Sequence, residues 1–193
     1  FDRAGGDWFT DFGRAVGRSS LPGGIYYMDP SGQPVEVLYP VDHPNGIGLS
    51  PDGATLYWAE TETRRVVRRS VPAPGVLAPT TGDSAMTVLR GHSLDTNVLV
   101  TGLPGNRRLD SLAVDAEGHI AVGTLLDSGI TDIDPADGSS TLLRLPPWAA
   151  DRLVTNICFG GPDLRTAFIT LSETGRVVAC DWPRPGLELA FGA

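Results

Sequence analysis

The sequence predicts an all-β fold of the β-propeller class, and three observations carry that prediction. One phrase recurs along the 193 residues: a small polar residue at a turn, a short apolar strand, a turn of Asp, Gly and Pro, and a second apolar strand. The 24 glycines and 16 prolines fit many short strands joined by turns. No stretch shows the 3.6-residue periodicity of an amphipathic helix. A β unit repeated at a fixed period is typical of a propeller.

A partial copy of the phrase opens the first predicted blade. Its predicted strands are residues 8–12, 25–28 and 35–38. The last two flank an Asp-Pro-Ser-Gly turn, in which Pro presets φ and Gly supplies the reversed turn. Residues 13–24 are rich in Gly, Arg and Ser and are expected to form a loop.

Three complete copies open the second, third and fourth blades, at residues 44, 109 and 155. The predicted strands of the second blade are 46–49, 55–59, 65–70, 88–89 and 98–100. Those of the third blade are 120–124, 129–133 and 141–145, which follow a run that begins at 110. Those of the fourth blade are 167–170 and 176–180, which follow a run that begins at 156. Residues 71–84 are rich in Pro, Gly, Ala and Thr and are expected to be an insertion. Asn45, Asp110 and Asn156 are 65 and 46 positions apart, which fits a blade period of roughly 40–50 residues once the insertion is allowed for.

Four blades can in principle close a ring. Here, however, the start of the chain cuts the inner strand of the first blade. Native proteins avoid leaving such a strand edge unpaired. We therefore expect residues 1–193 to be a single propeller domain that forms the C-terminal portion of a larger ring.

The charge and composition of the chain restrict the classes of partner that it can bind. The net charge of −8 argues against nucleic acid, whose phosphates require a basic surface. No apolar run approaches the roughly 20 residues that a membrane span needs. Cys158 and Cys180 lie in strand-like runs and are expected to be buried thiols, and two unpaired cysteines favour a reducing cytoplasm. The oligomeric state stays open.

The repeat also aligns three oxygen-bearing side chains. Asn45, Asp110 and Asn156 occupy the same turn position at the head of the innermost strand in three blades. In a propeller such positions converge on the central axis, so these residues form a candidate metal site. The alternative is that Asn45 is a turn former that tolerates the left-handed conformation and that Asp110 caps a turn.

Histidine and serine chemistry is less well supported by the sequence. His43 lies two residues before Asn45 and can reach the mouth of the central channel. With no partner identifiable from the sequence, a surface or packing histidine is the favoured interpretation. The absence of a Gly-x-Ser-x-Gly elbow, a phosphate loop or a Cys/His pair disfavours serine or cysteine hydrolysis.

At these same phrases the chain resembles the family of senescence marker protein, gluconolactonase and luciferin-regenerating enzyme. The matching segments are collinear and extend over essentially the whole chain: 9–12 (Phe-Thr-Asp-Phe), 44–47 (Pro-Asn-Gly-Ile), 50–53 (Ser-Pro-Asp-Gly), 56–61 (Leu-Tyr-Trp-Ala-Glu-Thr), 110–115 (Asp-Ser-Leu-Ala-Val-Asp) and 155–166. Segments 9–12 and 110–111 are especially similar to the bacterial drug-responsive lactonases of this family.

The resemblance implies a six-bladed propeller, of which about four blades are present here, that hydrolyses a small-molecule lactone with one divalent cation in its channel. It implies that Asn45 and Asp110 are metal ligands and that Ser111 adds an oxygen. Asp11 sits where the drug-responsive branch has an important acidic residue; the alternative is that it hydrogen-bonds the backbone of a loop. We assign Asn156 and His43 to substrate binding.

An all-oxygen donor set suits calcium first, then magnesium, and leaves zinc and manganese open. The cation would polarise the lactone carbonyl and acidify a bound water, with Asp110 or Asp11 as the general base. The expected activity is that of a lactonase, a carboxylic-ester hydrolase.

The family's Glu ligand and an Asn-Asp pair that helps to hold substrate belong to blades absent from this sequence, so an inactive isolated chain stays open. The alternatives are a non-catalytic propeller that binds a ligand or a protein, and an inactive partial gene product. Fold alone does not decide between them.

Overall fold

The computed structural model describes residues 1–79 and 99–190. Within these ranges the chain forms antiparallel sheets that follow one another as propeller blades. The first blade pairs β1 (Asp7–Asp11), β4 (Gly23–Met28) and β5 (Pro34–Val41) in that order. The prediction of three strands in this blade is confirmed.

The second and third blades have four strands each, paired in chain order. The second consists of β6 (Pro44–Leu49), β7 (Thr55–Glu60), β8 (Arg65–Ser70) and β9 (Leu99–Gly102). The third consists of β10 (Arg108–Val114), β11 (Ile120–Leu125), β12 (Gly129–Ile133) and β13 (Ser140–Arg144). The strand predicted at residues 88–89 lies outside the described residues.

The fourth blade follows a 3₁₀ turn at Pro147–Ala149. It pairs β14 (Val154–Gly160), β15 (Thr166–Leu171) and β16 (Arg176–Asp181). The described sheets do not close a ring, and their all-β, blade-by-blade order confirms the predicted propeller class.

Two expectations from the sequence are wrong. Part of segment 13–24 is a separate hairpin, in which β2 (Arg14–Val16) pairs with β3 (Ser19–Leu21), because Gly17 adopts a positive φ of 59° and closes a tight turn. The cysteines are free and exposed rather than buried. Cys158 lies on the outward face of β14, and Cys180 lies on β16 at the edge of the fourth blade, so strand-like sequence did not imply burial.

The core consists of three layers between successive blades. Trp8, Ile25 and Trp58 belong to the layer between the first and second blades. Ile120 and Val122 belong to the layer between the second and third blades, whereas Ala121 between them faces the fourth blade. Successive side chains of a strand point to opposite faces, so β11 is buried on both sides.

The tail after β16 returns from the fourth blade to the third. Gly186 forms a β-bridge with Asp115, and Arg184 Nη2 donates to Asp132 Oδ1 at 2.6 Å. Arg184 also pairs with the buried carboxylate of Asp115. These contacts tie the two blades together at the C-terminal ends of their inner strands.

In the described part of the chain, no helix combines the length and apolar character needed to cross a membrane.

Candidate functional site

The inner strands of three blades share an irregularity near their starts. The antiparallel register shifts between Pro44 and Ile47 in β6, between Leu109 and Leu112 in β10, and between Val154 and Asn156 in β14. Such bulges leave residues unpaired and re-aim their side chains. The bulges of β6 and β10 contain Asn45, Asp110 and Ser111, three of the residues predicted to bind metal.

Gly46 permits the close approach of the second and third blades. A Cβ atom at this position would lie 2.3 Å from the backbone nitrogen of Leu112 and 2.7 Å from the carbonyl oxygen of Asp110. Real Cβ contacts are never this short, so only glycine fits. This contact holds the bulge of β6 against the bulge of β10 and brings Asn45 to Asp110.

A chain of hydrogen bonds orients the Asn45 amide. Its Nδ2 donates to Thr61 Oγ1 at 3.3 Å, and Thr61 Oγ1 donates to the carbonyl oxygen of Leu109 at 2.7 Å. The Asn45 side chain is also close enough to the Asp110 carboxylate to lower its pKa. On the first blade, Thr10 Oγ1 donates to the Asn45 carbonyl oxygen at 2.7 Å. The amide nitrogen is thus engaged, and Asn45 Oδ1 remains as the atom that can bind a cation.

The Asp110 carboxyl is half-buried between two blades. Burial raises its pKa, because a buried site disfavours the charged form, and hydrogen bonds from Asn45 and from the Ser111 backbone N–H oppose that shift only in part. A positive charge placed beside this carboxylate would therefore be stabilising. Ser111 lies in the same bulge, next to Asp110.

Asn156 is placed differently from its two counterparts. It pairs directly with Thr170 in the ladder, and the bulge of β14 covers only the residue before it. Its side chain is exposed, and Oδ1 accepts the N–H of Ile157 at 2.8 Å. The described contacts therefore join Asn45 and Asp110, and they do not bring Asn156 to them.

Asp11 lies at the end of β1 on the first blade and is exposed. Its Oδ1 accepts the backbone N–H of Gly13 at 3.0 Å, as a carboxylate at a strand end often does. Its second oxygen has no described partner among residues 1–79 and 99–190.

His43 has partners that the sequence did not reveal. Its Nδ1 lies 2.5 Å from Asp42 Oδ1, and its Nε2 lies 3.0 Å from Ser20 Oγ. Ser20 is 23 positions away on β3, in a segment predicted to be a loop. Asp42 is adjacent to His43 in the sequence, and this adjacency was the only sequence feature that could have identified a partner of His43.

The donor chemistry of Asn45, Asp110 and Ser111 fits a hard divalent cation, because all their available ligand atoms are oxygens. Among the described residues, no three His, Cys, Asp or Glu side chains are grouped closely enough to hold a metal ion. Asn45, Asp110 and Ser111 therefore offer a cation one carboxylate together with neutral oxygens.

Comparison with known proteins agrees with this architecture. The family described as SMP-30/Gluconolactonase/LRE-like region matches residues 1–173. Lactonase drp35 from Staphylococcus epidermidis is 37% identical over 94 residues, which are 48% of this chain and 28% of the relative. Pentonolactonase XacC from Haloferax volcanii is 30% identical over 148 residues, 77% of this chain and 44% of the relative.

Among solved structures, regucalcin from Agrobacterium tumefaciens, described as a calcium-binding protein, aligns with a TM-score of 0.68. The sequence identity is 19%, and the alignment covers 96% of this chain and 59% of that one. At this identity the likeness shows the fold alone. The chain spans less than two thirds of the length of each of these relatives.

Proposed function

Since this chain belongs to the SMP-30/Gluconolactonase/LRE-like family, we propose that the protein containing it hydrolyses lactones. The observation that carries the proposal is the meeting of Asn45 with the half-buried Asp110 carboxyl between two blades. Two curated relatives are named lactonase and pentonolactonase. We take a small sugar-type lactone as the substrate class.

Asn45 Oδ1, an Asp110 oxygen and Ser111 Oγ would hold one divalent cation. When bound, this cation supplies a Lewis acid that polarises the lactone carbonyl and makes water more acidic. Burial raises the pKa of Asp110, and the positive charge of a bound cation would lower it again. Cation binding therefore favours the deprotonated carboxylate, and the deprotonated carboxylate favours cation binding. Calcium is the first candidate, because the donors are oxygens and a protein of the same fold is described as calcium-binding.

The chain's own groups complete the reaction. Asp110 or Asp11 accepts the proton of the attacking water. The carbonyl carbon forms a bond to the water oxygen, the ring C–O bond breaks, and the proton held by the carboxyl passes to the leaving ring oxygen, so that the product is a hydroxy acid. Asn156 and His43, on either side of this region along the chain, contact the substrate. We also propose that residues 1–193 form a single propeller domain that is the C-terminal portion of a larger ring.

The test compares Asp110→Asn with Asp163→Asn in the intact protein. Asp163 caps a distant turn by accepting the N–H of Arg165, so its substitution is a matched control. Hydrolysis of aldonolactones is followed by acid release after chelation and after addition of Ca²⁺, Mg²⁺, Mn²⁺ or Zn²⁺.

We expect cation-dependent turnover in the parent and in Asp163→Asn, and a loss of at least about 100-fold in kcat/KM in Asp110→Asn. Cation-dependent turnover that survives Asp110→Asn unchanged would overturn the assignment of this residue. Ligand binding without turnover in the parent would favour a non-catalytic propeller.

A further inference from the structure

Ser20, His43 and Asp42 form a hydrogen-bonded relay, of which the lactonase proposal uses only His43, as a substrate contact. The order of the groups is a hydroxyl, an imidazole and a carboxylate, as in serine hydrolases. We propose that Ser20 Oγ is a nucleophile that accepts acyl groups from activated carboxylic esters, with His43 as its base and Asp42 as the residue that orients the base. This reaction needs no divalent cation.

The two distances of the relay suit proton transfer. Ser20 Oγ lies 3.0 Å from His43 Nε2, and Asp42 Oδ1 lies 2.5 Å from His43 Nδ1. A carboxylate can only accept at Nδ1, so the proton of the neutral imidazole resides there. Nε2 is then left unprotonated and faces the hydroxyl. This is the geometry required of a nucleophile and its base.

The backbone and ring of His43 are held in place by other contacts. His43 adopts a positive φ of 44°, which is uncommon for a residue with a side chain and is typical of functional sites. Its carbonyl oxygen accepts the N–H of Thr61 at 3.1 Å. Its ring packs edge-on against Phe12, with centroids 5.1 Å apart. The imidazole is therefore oriented before any substrate arrives.

The relay is accessible from one side and sheltered on the other. Ser20 lies on β3, which is exposed throughout. The His43 and Asp42 side chains are 21% and 28% exposed. An ester can thus reach Ser20 Oγ, while the pair that activates it is largely shielded from water, which strengthens the hydrogen bond between them.

The proposed step balances without an added reactant other than water. Ser20 Oγ forms a bond to the ester carbonyl carbon, and its proton passes to His43 Nε2. The bond between that carbon and the leaving oxygen breaks, and the leaving alkoxide takes the proton from His43. Water then repeats the sequence, releases the carboxylic acid and restores the Ser20 hydroxyl.

The substrate class follows from what the relay provides. It supplies a nucleophile and a base, whereas stabilisation of the oxyanion is usually the largest single contribution to acyl transfer. We therefore limit the proposal to esters with good leaving groups, such as aryl esters, and to the phosphonylating reagents that mimic them.

The experiment uses the intact protein after chelation with EDTA. A fluorophosphonate probe tests for the adduct, peptide mapping by mass spectrometry locates it, and p-nitrophenyl acetate measures turnover. We expect the adduct on Ser20 in the parent protein. No adduct, or an adduct on another residue, would overturn the proposal without recourse to any variant.

Variants then separate the roles. Ser20→Ala should abolish labelling, and His43→Gln should slow it by about 100-fold or more. Ser19→Ala, on the same exposed hairpin, is the matched control and should label within about twofold of the parent. Equal labelling rates for Ser20→Ala and Ser19→Ala would contradict the proposal.

Asp42 is a positioning residue, so its test needs a finer readout. Asp42→Asn should slow labelling while leaving the adduct on Ser20, and Asp42→Glu should restore part of the rate; equal rates for both would contradict its role. Labelling is measured without a divalent cation, whereas lactone hydrolysis is expected to require one, so failure of this proposal and failure of the lactonase proposal are distinguishable.

Discussion

The third and fourth blades are built from the same repeat but are buried to different extents. In β11 of the third blade, Ile120, Ala121 and Val122 are all buried, because the second and fourth blades cover its two faces. In β15 of the fourth blade, Ala167 and Ile169 are buried, whereas Phe168 between them is 39% exposed. No segment within residues 1–79 and 99–190 covers that outward face.

The difference shows that a blade's stability depends on its neighbours as much as on its own ladder. Both blades have continuous antiparallel pairing, yet only the third contributes side chains to two core layers. Apolar burial is the dominant favourable term in folding. We therefore expect equivalent substitutions to cost much more in the third blade than on the outward face of the fourth.

The largest expected effect comes from truncating a side chain of the doubly covered blade. Ile133 is fully buried, so Ile133→Ala should lower the free energy of unfolding by about 2–5 kcal/mol. Phe168→Ala, on the outward face, should cost less than about 1 kcal/mol. Urea denaturation measures both. Comparable losses would show that the outward face of the fourth blade is covered in the intact protein.

The next effect concerns the polar contacts that anchor the fourth blade. Buried Asp151 accepts hydrogen bonds from Thr174 Oγ1 at 2.7 Å and from the backbone N–H groups of residues 153, 173 and 174. Burial alone would raise the pKa of Asp151, but these bonds outweigh it and hold the pKa below its usual value. Asp151→Asn should therefore cost about 2 kcal/mol at neutral pH.

The pH dependence of that effect has a definite sign. A carboxyl with a lowered folded-state pKa stabilises the protein above its unfolded-state pKa, and the contribution is lost as pH falls through the folded-state value. The difference in unfolding free energy between parent and Asp151→Asn should hence shrink below about pH 4. Asp137→Asn, in an exposed turn, is the control and should have little effect. A difference that grows toward acid would contradict the assignment.

A smaller effect is expected in the first blade, at alkaline pH. Tyr27 is buried, and its hydroxyl donates to Asp2 Oδ2 at 2.9 Å. Burial, followed by the hydrogen bond and the charge of Asp2, raises the pKa of Tyr27 to about 12. Its stabilising contribution is complete below the unfolded-state pKa of about 10 and is lost as pH rises toward 12.

The measurement compares the parent with Tyr27→Phe between pH 8 and pH 12. We expect the parent to lose about 2 kcal/mol or less through this group, and Tyr27→Phe to lack that part of the decline. Identical alkaline profiles would show that Tyr27 ionises equally easily in both states.

The smallest expected effect is a change in the alkylation rate of Cys180, at the edge of the fourth blade. Partial burial and the negative charge of Asp181 raise the pKa of the Cys180 thiol, and only the thiolate reacts with alkylating reagents. In a Cys158→Ser background, Cys180 should react with iodoacetamide more slowly than free cysteine at pH 7.5. Asp181→Asn should accelerate the reaction. An unchanged rate would mean that Asp181 does not influence this thiol.

The strand pattern could be predicted because it depends on local chemistry. Alternating apolar residues and Asp/Gly turns define each strand through side-chain period and backbone sterics, and β8 and β12 have the bounds that the sequence predicted. Segment 13–24 was misjudged because its strands carry few apolar residues and are exposed. A hairpin held by its own turn leaves little hydrophobic signal.

The candidate site was predictable only in part. The repeat placed Asn45 and Asp110 at equivalent turns, and the structure brings them together. Asn156 shares the sequence position but not the geometry, because the bulge of β14 is one residue shorter and returns Asn156 to the ladder. The length of a bulge depends on how neighbouring blades pack, which the local sequence does not specify.

By itself, then, the sequence determined the propeller class, the blade order and the oxygen-bearing residues at the heads of the inner strands, since these follow from periodicity and turn chemistry. Only the tertiary structure decided which of them meet. Gly46 sets the approach of two blades, and the path of an exposed hairpin brings Ser20 to His43 across 23 positions. Contacts between distant segments arise from the packing of the whole chain, and no local pattern encodes them.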